Sequence, residues 1–259
     1  MKPKKDIQVS LIFLGVTLLL AFAAWWAWRQ YMESPPYIDR ERFPVMGIDV
    51  SAHNGMMNLD AAARDGVEFI WIKASEGTDF RDENFSINYD KATHAGLKVG
   101  AYHFFRFDRD GVDQAVNLLK TIGKRPLDLG VAIDVEDHGN PSGIPPEVVN
   151  DRLQRMVEVL NLRGYRVVFY SNRSGYEKYL MDNFRGFPLW ICSFSDSNAA
   201  ARDWSFWQYD HHGSVDGIRG DVDLNVFAGS REDWERHFRD RGPANPASDP
   251  EPRAPQTAP

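Results

Sequence analysis

One cysteine, Cys192, in 259 residues excludes an internal disulfide framework and any cysteine-cluster metal site. A basic excess is missing as well. The 37 acidic residues outnumber the 30 lysines and arginines, which disfavours nucleic acid as a partner. No phosphate-binding glycine loop is present, because "GSVDGIRG" (213–220) is loosely spaced and follows no strand–helix unit. Ser51 has no base in suitable context and does not read as a nucleophile. His211 and His212 are adjacent, and neighbours on an extended chain point to opposite sides, so a shared metal ion is not expected. No metal and no cofactor is expected.

The single long apolar run lies near the start. Lys2, Lys4 and Lys5 precede Val9–Trp28, which contains no charged residue and has roughly the 20-residue length of a bilayer span. Trp25, Trp26 and Trp28, followed by Arg29, resemble an interfacial belt. The expectation is a basic cytoplasmic segment (1–8), a transmembrane signal-anchor (9–28) and a short polar linker (29–42). A cleaved signal peptide with "AFA" (21–23) as its site is the alternative, and both readings export the remainder of the chain. At the far end, 242–259 is rich in Pro and Ala without apolar periodicity and reads as a disordered tail.

Between them, 43–241 alternates strand-like and helix-like segments. "VMGIDVS" (45–51), "VEFIWIKA" (67–74), "KVGAYHFF" (98–105), "LGVAIDVE" (129–136) and "RVVFYS" (166–171) read as strands. Asn58 is placed to cap "LDAAARDG", while "ENFSINYDKATHAG", "GVDQAVNLLKTIG" and "PPEVVNDRLQRMVEVLNLRG" are helical patterns that stop at glycine. "FPLWICSF", "SFWQYD" and "DVDLNVF" then come with too little chain between them for full helices. Five βα units plus three strands make eight, the number that closes a small barrel. The fold expected is α/β, an irregular barrel whose second part has lost its helices; an open doubly wound sheet is the alternative.

Acids collect where such a barrel works, at the C-terminal ends of its strands. Asp49 ends the first strand, Glu76 follows the second, and Asp134 and Glu136 end the fourth. Asp221 and Asp223 belong to the last strand. Asp134 and Glu136 are two apart and share a face, whereas Asp137 points away and Asp128 precedes the strand. Two acids in one pocket raise each other's proton affinity, so one can stay protonated while the other is ionised. Glycoside hydrolysis needs that division of labour, although a salt-bridged pair or a divalent-ion site would satisfy the spacing too. Tyr102, Tyr170, Trp190 and Gln208 are placed to offer rings and an amide to a sugar, and His103 should face the helices.

"GIDVSAHNG", "IKASEG", "NYDKATHAGLKVGAYHFF", "AIDVED", "LWICSF", "FWQYD" and "VDGIRGDVDLN" occur in the order seen in the family 25 glycoside hydrolases. Over Val45–Phe227 the chain resembles these lysozymes of the Chalaropsis and cellosyl type. The resemblance implies a TIM-like (β/α)5β3 barrel and cleavage of the β-1,4 bond between N-acetylmuramic acid and N-acetylglucosamine in peptidoglycan. It implies Glu136 as general acid, Asp134 as its assisting partner, and Asp49 and Asp223 as further acids of the cleft. In related acetamido-sugar hydrolases the substrate's own N-acetyl oxygen attacks the anomeric carbon; direct attack by a carboxylate and an inverting water stay open here. Two positions depart from the family pattern: His53-Asn54 stand before Gly55 where Gln is usual, and Ser75 stands where Thr is commoner. A tethered, non-catalytic glycan-binding scaffold and a chitin-type hydrolase are the other readings. The expected location is the bacterial cytoplasmic membrane, single-pass, with the barrel outside and peptidoglycan strands as its partner.

Overall fold

The computed structural model describes residues 3–33, 36, 38–194 and 204–239, and the tail expected at 242–259 lies outside them. The chain divides into two compact units, Met1–Pro36 and Tyr37–Pro259. The first contains one helix, α1 (Pro3–Glu33), which takes in the expected span Val9–Trp28 and continues beyond it at both ends. Among the described residues, no helix is long and apolar enough to cross a membrane. The helical state is therefore established for this segment, and a membrane span is not.

The second unit is a closed barrel. Its strands are β1 (Met46–Val50), β2 (Val67–Glu76), a two-residue β3 (Phe80–Arg81), β4 (Lys98–Phe104), β5 (Gly130–Asp134), β6 (Val167–Asn172), β7 (Leu189–Cys192), β8 (Phe206–Gly213) and β9 (Val222–Phe227). The order β1-β9-β8-β7-β6-β5-β4-β2 is closed by pairing of β1 with β2, while β3 is a hairpin return on β2 outside the ring. The eight expected strands are all present, and the open sheet is excluded by the β1–β2 pairing. Around the ring, all pairs from β1 through β2 and β4 to β8 are parallel, and β9 runs antiparallel to both its neighbours; the β2–β3 hairpin outside the ring is antiparallel.

Helices α2 (Leu59–Arg64), α3 (Phe85–His94), α4 (Gly111–Ile122) and α5 (Pro146–Leu162) follow the first four barrel strands in turn. The Asn58 side chain caps α2 by accepting from Ala61 N, and Asp110 caps α4 through Val112 N and Asp113 N. Gly96 takes the positive φ that ends α3. A short α6 (Arg173–Gly175) runs on into a π-helical turn, Tyr176–Leu180, and α7 (Arg231–Arg239) closes the described chain.

Period-two alternation sorts the strands into two layers. One face, with Ile48, Ile70, Ile72, Val99, Ile133 and Phe169, packs under the helices. The other fills the barrel with Phe69, Trp71, Tyr170, Trp190, Phe206 and Phe227. Trp71 and Trp190 stack at 5.2 Å across the middle. Trp234 of α7 lies 5.4 Å from Phe69 and 5.0 Å from Phe227, and so plugs the floor. Ser230 and Asp233 cap each other at the start of α7, and Arg231 bonds Glu68 and Pro44 O, fixing the plug to the barrel's lower edge.

Two inward glycines make the large rings fit. A Cβ on Gly47 would overlap the Phe69 ring, and one on Gly100 would overlap the Trp71 indole. Gly47→Ala and Gly100→Ala should each destabilise the barrel by about 1–3 kcal/mol, as overpacking does. Urea unfolding of the purified domain checks this, and an unchanged midpoint would contradict it.

Candidate active site

Asp49 sits on β1 between Ile48 and Val50, which turn outward, so its carboxyl enters the barrel near the mouth. Asp134 ends β5, and Glu136 comes two residues later while Val135 turns into the helix layer. Asp223 reaches the same end by a different route. Because β9 is antiparallel, its first residues lie at the C-terminal end of the parallel strands, with Asp223 opposite Asp49. These four acids, with Tyr102, Tyr170, Trp190, Cys192, Phe194 and Gln208, line one pocket of about 310 Å³.

A hydrogen-bonded web holds the deepest acid. Asp49 Oδ2 accepts from Gln208 Nε2 and from Asn225 Nδ2, both at 2.8 Å. Tyr170 donates its hydroxyl to Gln208 Oε1 at 2.8 Å, and Trp190 Nε1 donates to Asn225 Oδ1 at 2.7 Å. Each amide is thereby oriented by an aromatic donor, its NH₂ aimed at the carboxyl. Register explains the meeting: Gln208 and Asn225 are opposite each other on β8 and β9, and Asn225 is opposite Gly47 on β1.

Electrostatics follow from burial. Asp49 is pushed well above the usual carboxylate range by burial and then by the Asp223 charge; the Asn225 and Gln208 bonds oppose this. Burial also raises Asp223, and the neighbouring Asp49 carboxyl works against that rise. Asp134 is driven well up by burial and then by the Glu136 charge, with Lys73 opposing. Burial raises Glu136, offset by His138 and Lys73. Tyr102 and Tyr170 stay neutral phenols, raised first by burial. Burial pushes the Cys192 thiol up to about 12, which makes it a poor nucleophile at the pocket wall. Asp134 Oδ1 is buried in the pocket without a hydrogen bond.

Eight of the ten expected site residues line this pocket: Asp49, Asp134, Glu136, Asp223, Tyr102, Tyr170, Trp190 and Gln208. Two do not. Glu76 accepts from Lys73 Nζ at 3.1 Å and faces Arg106 at 3.5 Å, so its carboxylate is used in an ion chain beside the mouth. Asp221 precedes β9, is exposed, and bonds His212 Nδ1 at 2.7 Å. Asp137 bonds Lys178 and the Tyr179 hydroxyl, and Asp128 holds Lys98 and Val99 N; both are structural. His103 faces the helix layer as expected, bonded to Ser75 Oγ at 2.8 Å and near Gln114 Oε1 at 3.2 Å. Burial lowers it to about 4, leaving a neutral imidazole.

The histidine pair departs from simple alternation. β8 shifts register between Asp210 and Gly213, and the His211 and His212 rings come to 4.0 Å of each other, with His211 4.2 Å from Phe194. Among the described residues no group of His, Cys, Asp and Glu is arranged to hold a metal ion. Asn225, Cys192 and Phe194 are additions that the strand pattern alone does not single out. Asn225 had a visible signal, since it is two residues after Asp223 and must share its face.

Asp134→Asn provides a stability test. A folded-state proton affinity raised above the unfolded value contributes stability below the unfolded pKa and loses it as pH rises through the folded one. At neutral pH the buried carboxylate therefore costs stability that an amide would not. Asp134→Asn should be more stable than the parent by about 0.5–2 kcal/mol at pH 7, with the gain vanishing near pH 4. Urea midpoints at the two pH values check this; a loss at pH 7, or a gain independent of pH, would contradict it.

Comparison with known proteins agrees with this geometry. The model of "Glycosyl hydrolases family 25" matches residues 48–218. The autolytic lysozyme of Clostridium acetobutylicum is 34% identical over 71% of this chain, which spans 56% of that protein's length. Lysozyme M1 of Streptomyces globisporus is 33% identical, covering 72% of this chain and 68% of its own. Among solved structures, a family 25 glycosyl hydrolase from Bacillus anthracis superposes with a TM-score of 0.69 at 33% identity, over 78% of this chain and 96% of its own. The family model begins on β1 and ends just before β9, thus taking in Asp49, Asp134, Glu136 and Gln208, and the chain belongs to glycosyl hydrolase family 25.

Proposed function

We propose that the barrel is a muramidase, cleaving the β-1,4 bond between N-acetylmuramic acid and N-acetylglucosamine in peptidoglycan. The observation that carries the reading is the Asp134–Glu136 pair in a ring-walled pocket, with Asp134 Oδ1 buried and unpartnered. An N–H donor from a ligand would satisfy that oxygen, and the acetamido group of an N-acetyl sugar supplies one. Such a bond favours the ionised form of Asp134 and leaves the pair's proton on Glu136.

Glu136 then gives its proton to the glycosidic oxygen as the C1–O bond breaks. The acetamido carbonyl oxygen bonds to C1 from the opposite face, and Asp134 holds the N–H while positive charge develops. Water next adds to C1, Glu136 takes a proton from it, and the acetamido group is released. Asp49 and Asp223, opposite each other on β1 and β9, add their carboxyls to the same pocket. Tyr102, Tyr170 and Trp190 offer ring faces and edges to the sugar's C–H surface. The names of the lysozyme relatives support the same substrate.

α1 is read as a single-pass anchor in the cytoplasmic membrane, its lysines inside and the barrel outside. Support comes from the uncharged stretch Val9–Trp28 within one helix and from Lys2, Lys4 and Lys5 ahead of it.

Two measurements test these readings. Digests of peptidoglycan by the purified barrel, reduced with borohydride, should yield muramitol ends, and Glu136→Gln should lower their release about 10²–10⁴-fold. Glucosaminitol ends, or a fully active Glu136→Gln, would overturn the assignment. The full chain expressed in cells should stay in the membrane after an alkaline carbonate wash, with an intact mass that includes residues 1–28. A soluble protein shortened after Ala23 would overturn the anchor.

A further inference from the structure

Lys73 is the strongest unexplained group near the pocket. It is opposite Tyr102 across β2 and β4, and so shares the inward face of a residue that lines the pocket. β2 shifts register just beyond it, which turns Ser75 out to His103 and leaves the lysine on the barrel side. Its Nζ lies 5.5 Å from the centroids of both Phe80 and Phe104, a clamp of two ring faces on one ammonium. Phe104 is the β4 neighbour of Asp134, so clamp and acid pair share one edge of the mouth.

The far side of the ammonium is fixed too. Lys73 Nζ donates to Glu76 Oε2 at 3.1 Å, and Glu76 Oε1 faces Arg106 Nη1 at 3.5 Å. Arg106 in turn bonds Gly139 O in the loop after Glu136, and lies 3.8 Å from Asp108. The lysine side chain is 17% exposed, so water screens its charge weakly. A salt bridge built only for stability would have no need of a bulge and a two-ring clamp on the barrel side of the strand.

We propose that Lys73 is a positioning residue for the reaction, its ammonium offsetting the second negative charge that appears beside Asp134 when Glu136 gives up its proton. This rests on the muramidase reading above. Before proton transfer the pair carries one negative charge; afterwards it carries two, in a site that already contains Asp49 and Asp223. A cation locked between rings is there before the charge develops and need not reorganise when it does. Other groups facing the pair are Asp49 on β1, Tyr102 on β4, Tyr170 on β6, Cys192 on β7, Asp223 on β9 and His138 on the loop beyond Glu136. Lys73 and His138 are the cations among those acting on the acid pair. His138, exposed on its loop, acts on Glu136 ahead of Lys73, whereas Lys73 is the one of the two that acts on both acids. The charge of Lys73 lowers the proton affinity of both Asp134 and Glu136, and that of Glu76 raises Asp134, consistent with this arrangement.

The test is a pH profile of muramidase activity on soluble peptidoglycan fragments for Lys73→Met, Lys73→Arg and Glu76→Gln, with Glu136→Gln as control. Lys73→Met should lower kcat on the order of 10²-fold with KM little changed. Both limbs of its bell should move to higher pH, by about one unit. Lys73→Arg keeps a cation in place and should return both limbs to their original positions. Glu76→Gln removes an anion and should move the limbs the opposite way, to lower pH. Limbs that stay fixed in Lys73→Met and Glu76→Gln, with loss of activity tracking loss of thermal stability, would overturn the proposal. Should Lys73→Met fail to fold, Lys73→Gln, which also removes the charge, is read the same way: limbs moved to higher pH support the proposal and fixed limbs overturn it. Activity retained in Glu136→Gln would instead overturn the reading beneath it.

Discussion

A carboxyl sunk into a barrel of aromatic rings must keep its proton or find donors, and the mouth of this barrel contains four. Asp49 is the deepest, and its Oδ2 is held by two amides that are themselves aimed by a tyrosine and a tryptophan. That web reaches β1, β6, β7, β8 and β9, so one buried acid ties together most of the ring. If its donors were absent, the acid would face Asp223 without relief, and both would compete with the working pair for protons. With them, Asp49 and Asp223 are stabilised as a unit. Asp134 keeps a buried oxygen with no protein partner.

The antiparallel direction of β9 is what makes this convergence possible. Had β9 been parallel, Asp223 would begin its strand at the floor, among Phe69, Phe206 and Trp234. Instead the reversed strand presents Asp223 and Asn225 at the mouth and Phe227 at the floor, where it packs against the α7 plug. The chain between β8 and β9 is short enough for antiparallel pairing and too short for a helical crossover, so loss of the last helices and arrival of the fourth acid have one cause. Gly47 completes the design from β1, giving room to the Phe69 ring.

Much of this was legible in the residues. Period-two alternation places Asp134 with Glu136, and sends Val135, Asp137 and His103 elsewhere. Turn and cap signals at Asn58 and Gly96 mark helix ends correctly. What the strand pattern does not reveal is which side chains take up the remaining groups. Glu76 looks like a cleft acid because it follows a strand, yet Lys73 and Arg106 take it up beside the mouth. Asp221 looks like a partner of Asp223, but it precedes β9, and His212 claims it. On an ideal strand the histidine pair would be opposed, and a register shift in β8 brings the rings together. α7 has too few apolar residues to stand out, because its contribution is largely one tryptophan.

The chemistry turns on a division of labour, Asp134 holding the acetamido N–H and Glu136 serving the glycosidic oxygen. A crystal structure of the Glu136→Gln protein with a tetrasaccharide of the peptidoglycan repeat would observe that division itself. The acetamido N–H of the sugar at the cleavage point should lie on Asp134 Oδ1, with its carbonyl oxygen beneath C1. Residue 136 should stand within hydrogen-bond distance of the bridging oxygen. A glycan seated with Asp134 Oδ1 still unpartnered, or with the bridging oxygen out of reach of residue 136, would contradict it.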